Sequence, residues 1–258
     1  MNLLTGQAVP IDPTKRTKEQ ETAYRDQITL LSAQGKLTPA MMSQMGLRTL
    51  TVATGKTPVA QAPAAPPTAQ GSGVSPMGCS ITNPQTGAGA MSVPAPTIVF
   101  NGSSQGYQMY ATATYKWNSH PEAPSTCKVA VGGVDGIAVA LDISVLNDGV
   151  SFIGCNIYNK CASTGYLETN GQYGAGWAFQ DWATSTLLGG GDTYRGSLTF
   201  AFRFRGGLGC VQAFSRYGHS WDSTALNGFG IGPWSISAQW TSTSSNWGTS
   251  SQTGRYGC

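Results

Sequence analysis

YQMYATATYKW, residues 107–117, decides the fold class. Its odd positions Tyr107, Met109, Ala111, Ala113, Tyr115 and Trp117 are apolar, while Gln108, Thr112, Thr114 and Lys116 between them are polar. Tyr110 alone breaks the alternation. A period of two sends successive side chains to opposite faces and marks a half-buried antiparallel strand. The pattern recurs in SLTFAFRFR (197–205), where Leu198, Phe200, Phe202 and Phe204 share a face opposite Ser197, Thr199, Arg203 and Arg205. It recurs in IAVALDISV (137–145), which reads as one strand with Ile137, Val139, Leu141, Ile143 and Val145 inward. LNDG (146–149), VGGVDG (131–136), GGG (189–191) and RGG (205–207) lie between such runs and read as turns. No Lys-Ser/Thr follows these glycines, so they are not phosphate loops. After residue 79 no long helical stripe is present. The expected fold is all-β, an antiparallel β-sandwich or jelly roll over 79–258.

In WSISAQW (234–240), Trp234, Ile236, Ala238 and Trp240 alternate with Ser235, Ser237 and Gln239, so Trp234 and Trp240 are expected in the core. Trp247 follows TSTSSN without apolar neighbours and is expected on an exposed strand or loop.

The segment before the sandwich is different. TKEQ (17–20) is a capping box, and Tyr24, Ile28 and Leu31 follow on one helical stripe that Gly35 can stop. Thr38 and Pro39 restart a helix carrying Met41, Met42 and Met45, with Gly46 as terminator. Helices this short need something to pack on. Residues 1–57 therefore read as a helical leader or assembly arm, and 58–78, rich in Pro, Ala and Gly, as a linker.

Only 10% of residues are charged, against about 25% in an average soluble protein, and glycine is abundant at 34 residues. Residues 1–78 hold seven basic and four acidic residues, the whole surplus of +3. The remainder is neutral, which argues against nucleic acid as partner, since that needs a basic surface to meet phosphates. No apolar run is long enough for a transmembrane helix.

The six cysteines, Cys79, Cys127, Cys155, Cys161, Cys210 and Cys258, all follow the linker. They lack zinc-knuckle spacing and have only two histidines to join them, so three disulfides, no metal and no cofactor are expected. Disulfides imply an oxidising compartment, extracellular or at the cell surface. MNLLTGQAVPIDPTKR shows neither a basic n-region nor an apolar h-region. The expectation is that a signal peptide lies outside this numbering, the alternatives being another export route or release by lysis.

GQYGAGWAFQDW (171–182) is the densest aromatic stretch. Tyr173, Trp177 and Trp182, joined by Trp247, are candidate platforms for sugar rings, beside Gln180 and Asp181. Glu168 and Asp181 are the carboxylate pair to test for glycoside hydrolysis. RYGHSWDS (216–223) supplies His219 and Asp222, residue types of a hydrolase triad, but without a nucleophile elbow. His120, in NSHPEAP, reads as a loop residue. The Asn101-Gly102-Ser103 sequon matters only in a eukaryotic secretory host. The leading expectation is a non-catalytic extracellular module that binds a glycan or cell-surface polymer, or self-associates through 1–57. The alternatives are a secreted hydrolase of polysaccharide or peptidoglycan, and a structural component of a virion or extracellular filament.

Overall fold

The computed structural model describes residues 12–50, 79, 81, 87–103, 106–124, 127–184, 193–206, 210–221, 224–242, 245–253 and 255–256. The linker 58–78, Asp222 and Cys258 lie outside the described residues.

Two helices open the chain, α1 (Lys18–Ala33) and α2 (Pro39–Gln44). The capping box forms as the sequence dictates: the Gln20 amide donates to the Thr17 hydroxyl at 3.2 Å, and the Thr17 amide to the Gln20 side chain at 2.9 Å. Gly35 and Gly46 end the helices at φ +67° and +69°. The strands follow as β1 (Arg48–Thr49), β2 (Met91–Ser92), β3 (Thr97–Ser103), β4 (Gly106–Trp117), β5 (Lys128–Leu141), β6 (Val145–Cys155), β7 (Cys161–Ala162), β8 (Tyr166–Asn170), β9 (Gly174–Thr184), β10 (Arg195–Phe204), β11 (Ala213–Ser220), β12 (Leu226–Gly232), β13 (Ser235–Trp240) and β14 (Asn246–Gln252).

The expected antiparallel sandwich is present. One sheet has the order β1-β3-β4-β10-β6-β7, with β2 also on β4; the other has the order β14-β11-β5-β9-β8. Their inner faces share one core. Met109, Ala111, Ala113, Tyr115 and Trp117 of β4, with Phe152, Leu198, Phe200 and Phe202, meet Ile137, Val139, Leu141, Phe179, Tyr217 and Trp247.

Both sheets are covered on the outside as well. Tyr24, Ile28 and Leu31 of α1, with Met45 and Leu47, pack on Val99, Tyr110 and Ala201 of the first sheet. Tyr110, the one apolar residue on the polar side of β4, is thereby fully buried. The β12–β13 hairpin lays Leu226 and Phe229 on Ala138 and Ala178 of the second sheet. Glycines make that approach possible: a Cβ at Gly136 or Gly176 would meet the Phe229 ring at 2.7 or 2.6 Å.

The structure corrects the sequence reading at several points. The run 137–145 is two strands, because the chain bends at Asp142 and Ile143 and leaves for the other sheet at Val145. LNDG and VGGVDG are bulges within strands. Ala201 pairs with Gly149 and Phe202 with Asn147, so Asp148 is the extra residue; the register also jumps between Ala130 and Val134. Turn residues suit bulges for the same reason, their tolerance of irregular backbone. Trp234 is not in the core. The pairing of Gly232 with Ser235 leaves Pro233 and Trp234 as a two-residue loop, and Trp234 is 54% exposed at φ +69°. The alternation holds only from Ile236, and its apolar face belongs to the hairpin. Asn101 of the sequon is fully buried on β3, out of reach of a glycan.

Cys79–Cys127 and Cys155–Cys161 are disulfides, the second joining β6 to β7, and Cys210 is disulfide-bonded too. No helix among the described residues is long and apolar enough to cross a membrane.

Candidate functional site

Three neighbouring strands of the second sheet, β9, β5 and β11, each place one ionisable side chain on the inner face at the same end. On β9, Asp181 follows Ala175 and Phe179 inward at a spacing of two. On β5, Asp135 precedes Ile137 and Val139, and on β11, His219 follows Tyr217. All three are fully buried. Tyr115 and Trp117 of β4 face them from the opposite sheet, and His120 enters from the loop after β4. His120 does lie in a loop, but only 7% of it is exposed.

Asp135 is held by four donors. Its Oδ2 accepts from the Tyr217 hydroxyl at 2.9 Å and from His219 Nδ1 at 2.7 Å; its Oδ1 accepts from the Ser220 amide at 2.8 Å and the Ser220 hydroxyl at 3.3 Å. Burial pushes the Asp135 carboxyl up, and the bond from His219 works against that rise. Asp181 Oδ1 accepts from His120 Nε2 at 3.2 Å, from the Trp182 amide at 3.0 Å and from the Thr193 hydroxyl at 2.5 Å. Burial raises this carboxyl also, but the charge and hydrogen bond of His120 outweigh it and leave Asp181 below its ordinary value.

His120 Nδ1 lies 2.7 Å from the Pro121 carbonyl, while Nε2 faces the Asp181 carboxylate. Both partners are acceptors, and only a doubly protonated ring donates from both nitrogens. Among the described residues, three buried polar atoms of this nest have no hydrogen-bond partner: Asp181 Oδ2, Tyr115 Oη and Trp117 Nε1. Rings close the nest, with Trp117 edge-on to His219 at 5.0 Å and to Trp247 at 6.0 Å.

The residues expected to form a sugar platform do not share a surface. Trp247, expected outside, is 4% exposed and packs against Trp117, Tyr217 and His219, because β14 pairs with β11 and turns it inward. Trp177 and Trp182 are five residues apart on β9, an odd spacing that puts them on opposite faces. Trp177 stacks on Phe152 and donates to the Thr164 carbonyl at 2.7 Å, while Trp182 lies under the Lys128 ammonium. Tyr173 is half-buried between β8 and β9, its carbonyl accepting from the Leu141 amide.

Glu168 and Asp181 are likewise separated by the sheet. Glu168 accepts from the Phe229 amide at 3.2 Å and so serves the outer hairpin, whereas Asp181 faces the core. They cannot flank one glycosidic bond. His219 finds its carboxylate in Asp135, which the sequence reading had placed in a glycine turn. The available signal was its position two residues before Ile137, on the apolar side of the strand.

A second feature is open to solvent. A groove of about 940 Å³ runs between α1 and the first sheet, lined among others by Lys18, Glu21, Arg25, Gln108, Asp148 and Arg203. The Arg203 guanidinium grips Asp148 through two bonds of 2.8 and 2.6 Å, and Gln108 donates to the same carboxylate. Arg25 is 6% exposed and donates to the Ser151 hydroxyl at 2.8 Å and the Asp148 carbonyl at 3.2 Å. The groove is thus lined by polar side chains along the seam of the arm, with Arg203 and Asp148 paired within it. No family model matches the chain, and no curated protein matches its sequence.

Proposed function

We propose that the chain is a non-catalytic extracellular module that acts by binding or by assembly. One observation carries this reading. Both histidines, and the two carboxylates paired with them, are sealed between the sheets. These are the acid–base groups that a hydrolase of polysaccharide or peptidoglycan would draw on, and such groups must reach the bond they break. The bridges at Cys79–Cys127 and Cys155–Cys161, with Cys210 also bonded, support an oxidising location.

Assembly is favoured over sugar binding by what the second sheet exposes. Among the described residues strand β8 ends the sheet, and Tyr166 and Leu167 on it are 53% and 41% exposed. An edge strand carrying large apolar side chains offers both unpaired backbone and contact area to another chain. This supports a structural role, as in a virion or extracellular filament.

The test is to incubate the purified chain with insoluble polysaccharides and peptidoglycan while following its own sedimentation. No soluble sugar should be released, and the sedimentation coefficient should rise with concentration in the wild type but not in Tyr166→Asp/Leu167→Asp. Released sugar above the buffer control would overturn the non-catalytic reading. Retention on a glycan by a strictly monomeric chain would replace assembly with binding.

A further inference from the structure

We propose that the buried nest of Asp135, Asp181 and His219 is a site for one divalent transition-metal cation of the Zn²⁺ or Mn²⁺ class. Each of the three residues offers a ligand atom, and these atoms all lie within 4.8 Å of one another. Donors about 2.0–2.3 Å from a common ion are themselves separated by no more than roughly 4.6 Å, so the three atoms need to draw together slightly to share a single ion. Imidazole with carboxylate oxygens suits this class of metal, while a calcium site would be built from oxygen alone.

A second observation points to an occupant. Asp181 Oδ2 is fully buried and has no donor, although Asp181 Oδ1 has three. A carboxylate oxygen so placed is costly without a proton, a water or a cation. The Tyr115 hydroxyl is also buried and unpartnered.

Because the nest is closed, metal would enter as the sheets come together. The full chain should therefore be unfolded in guanidinium with its disulfides intact. It is then refolded in chelator-treated buffer, alone or with Zn²⁺, Mn²⁺ or Ca²⁺, and freed of loose metal. Elemental mass spectrometry should find one Zn²⁺ or Mn²⁺ per chain and little Ca²⁺. Metal at a hundred-fold excess over Kd should raise Tm by roughly 5–10 °C. Asp181→Asn should lose the metal. Tyr217→Phe, which removes a donor to Asp135 and no ligand, should keep it. If Asp181→Asn does not fold, the wild-type metal content and Tm shift decide. Wild-type protein refolding equally well with less than a tenth of an ion per chain would overturn the site, leaving protons and water to close the nest. Full metal retention in a folded Asp181→Asn would overturn it equally.

Discussion

The two outer covers of the sandwich do the same work by different means. Each hides apolar residues on the back of a sheet. The hairpin does so through contacts without tolerance: Phe229 lies against Gly136 and Gly176, and Trp240 against Gly218, where a Cβ would come within 2.6 Å of its ring. The helical arm mixes apolar packing with polar fastening. The Tyr110 hydroxyl donates to Glu21 at 2.6 Å and accepts from Arg16 at 3.0 Å, Arg25 reaches Ser151, and Ser151 donates to Asp26. A groove remains along that seam. Ring-on-glycine packing fails abruptly when altered, whereas a polar seam loses its parts one at a time.

The largest effect should come from the hairpin. Phe229→Ala should cost about 3–5 kcal/mol in denaturant unfolding, since neighbouring glycines have no side chains to fill the void. A cost below about 1 kcal/mol would mean that the hairpin is not part of the cooperative unit. On the helical side, Ile28→Ala should cost about 2–4 kcal/mol and make α1 cleavable by protease before the sandwich opens. Simultaneous loss of both would erase the contrast.

The arm should also weaken in alkali. The Tyr24 hydroxyl donates to the Met45 carbonyl, and burial pushes its pKa up to about 12 from 10.0. A raised folded value means that this stability is complete below pH 10 and declines as pH climbs toward 12. The loss is on the order of 2 kcal/mol from this group. Tyr24→Phe should flatten that part of the stability–pH curve, and an unchanged curve would refute the assignment. Tyr110→Phe removes one bridging hydroxyl from the seam and should cost about 1 kcal/mol by thermal unfolding. The smallest effect is expected at the hairpin tip. Trp234→Gly should change stability by less than about 1 kcal/mol, because glycine accepts φ +69° without strain. A loss of 3 kcal/mol there would show that the exposed indole is structural after all.

Local signals carried most of the fold. The capping box at Thr17 and Gln20, the stripe Tyr24–Ile28–Leu31 and the alternation of β4 and β10 are short-range rules, and the chain obeys them. What lay beyond was the destination of each surface. Tyr110 broke the polar face of β4 because a helix some 80 residues earlier in sequence covers it, and no window around Tyr110 contains that helix. The nest was less legible still. Asp135 stands 84 residues from its partner His219, and the aspartate was masked by glycines that form a bulge. Trp247 looked exposed because its neighbours are Ser and Thr, yet pairing with β11 buries it.

The docking of α1 on Ala201 sets an order of events during synthesis. The arm leaves the ribosome before the sandwich does, but its seat is incomplete until Arg195–Phe204, far later in the chain, has joined β4 and β6. For most of that time the stripe of Tyr24, Ile28 and Leu31 has no surface to rest on, and an isolated helix of its length is marginal in water. Docking of the arm therefore belongs to the late side of the folding barrier. Weakening it with Ile28→Ala should leave the refolding rate almost unchanged and appear as faster unfolding.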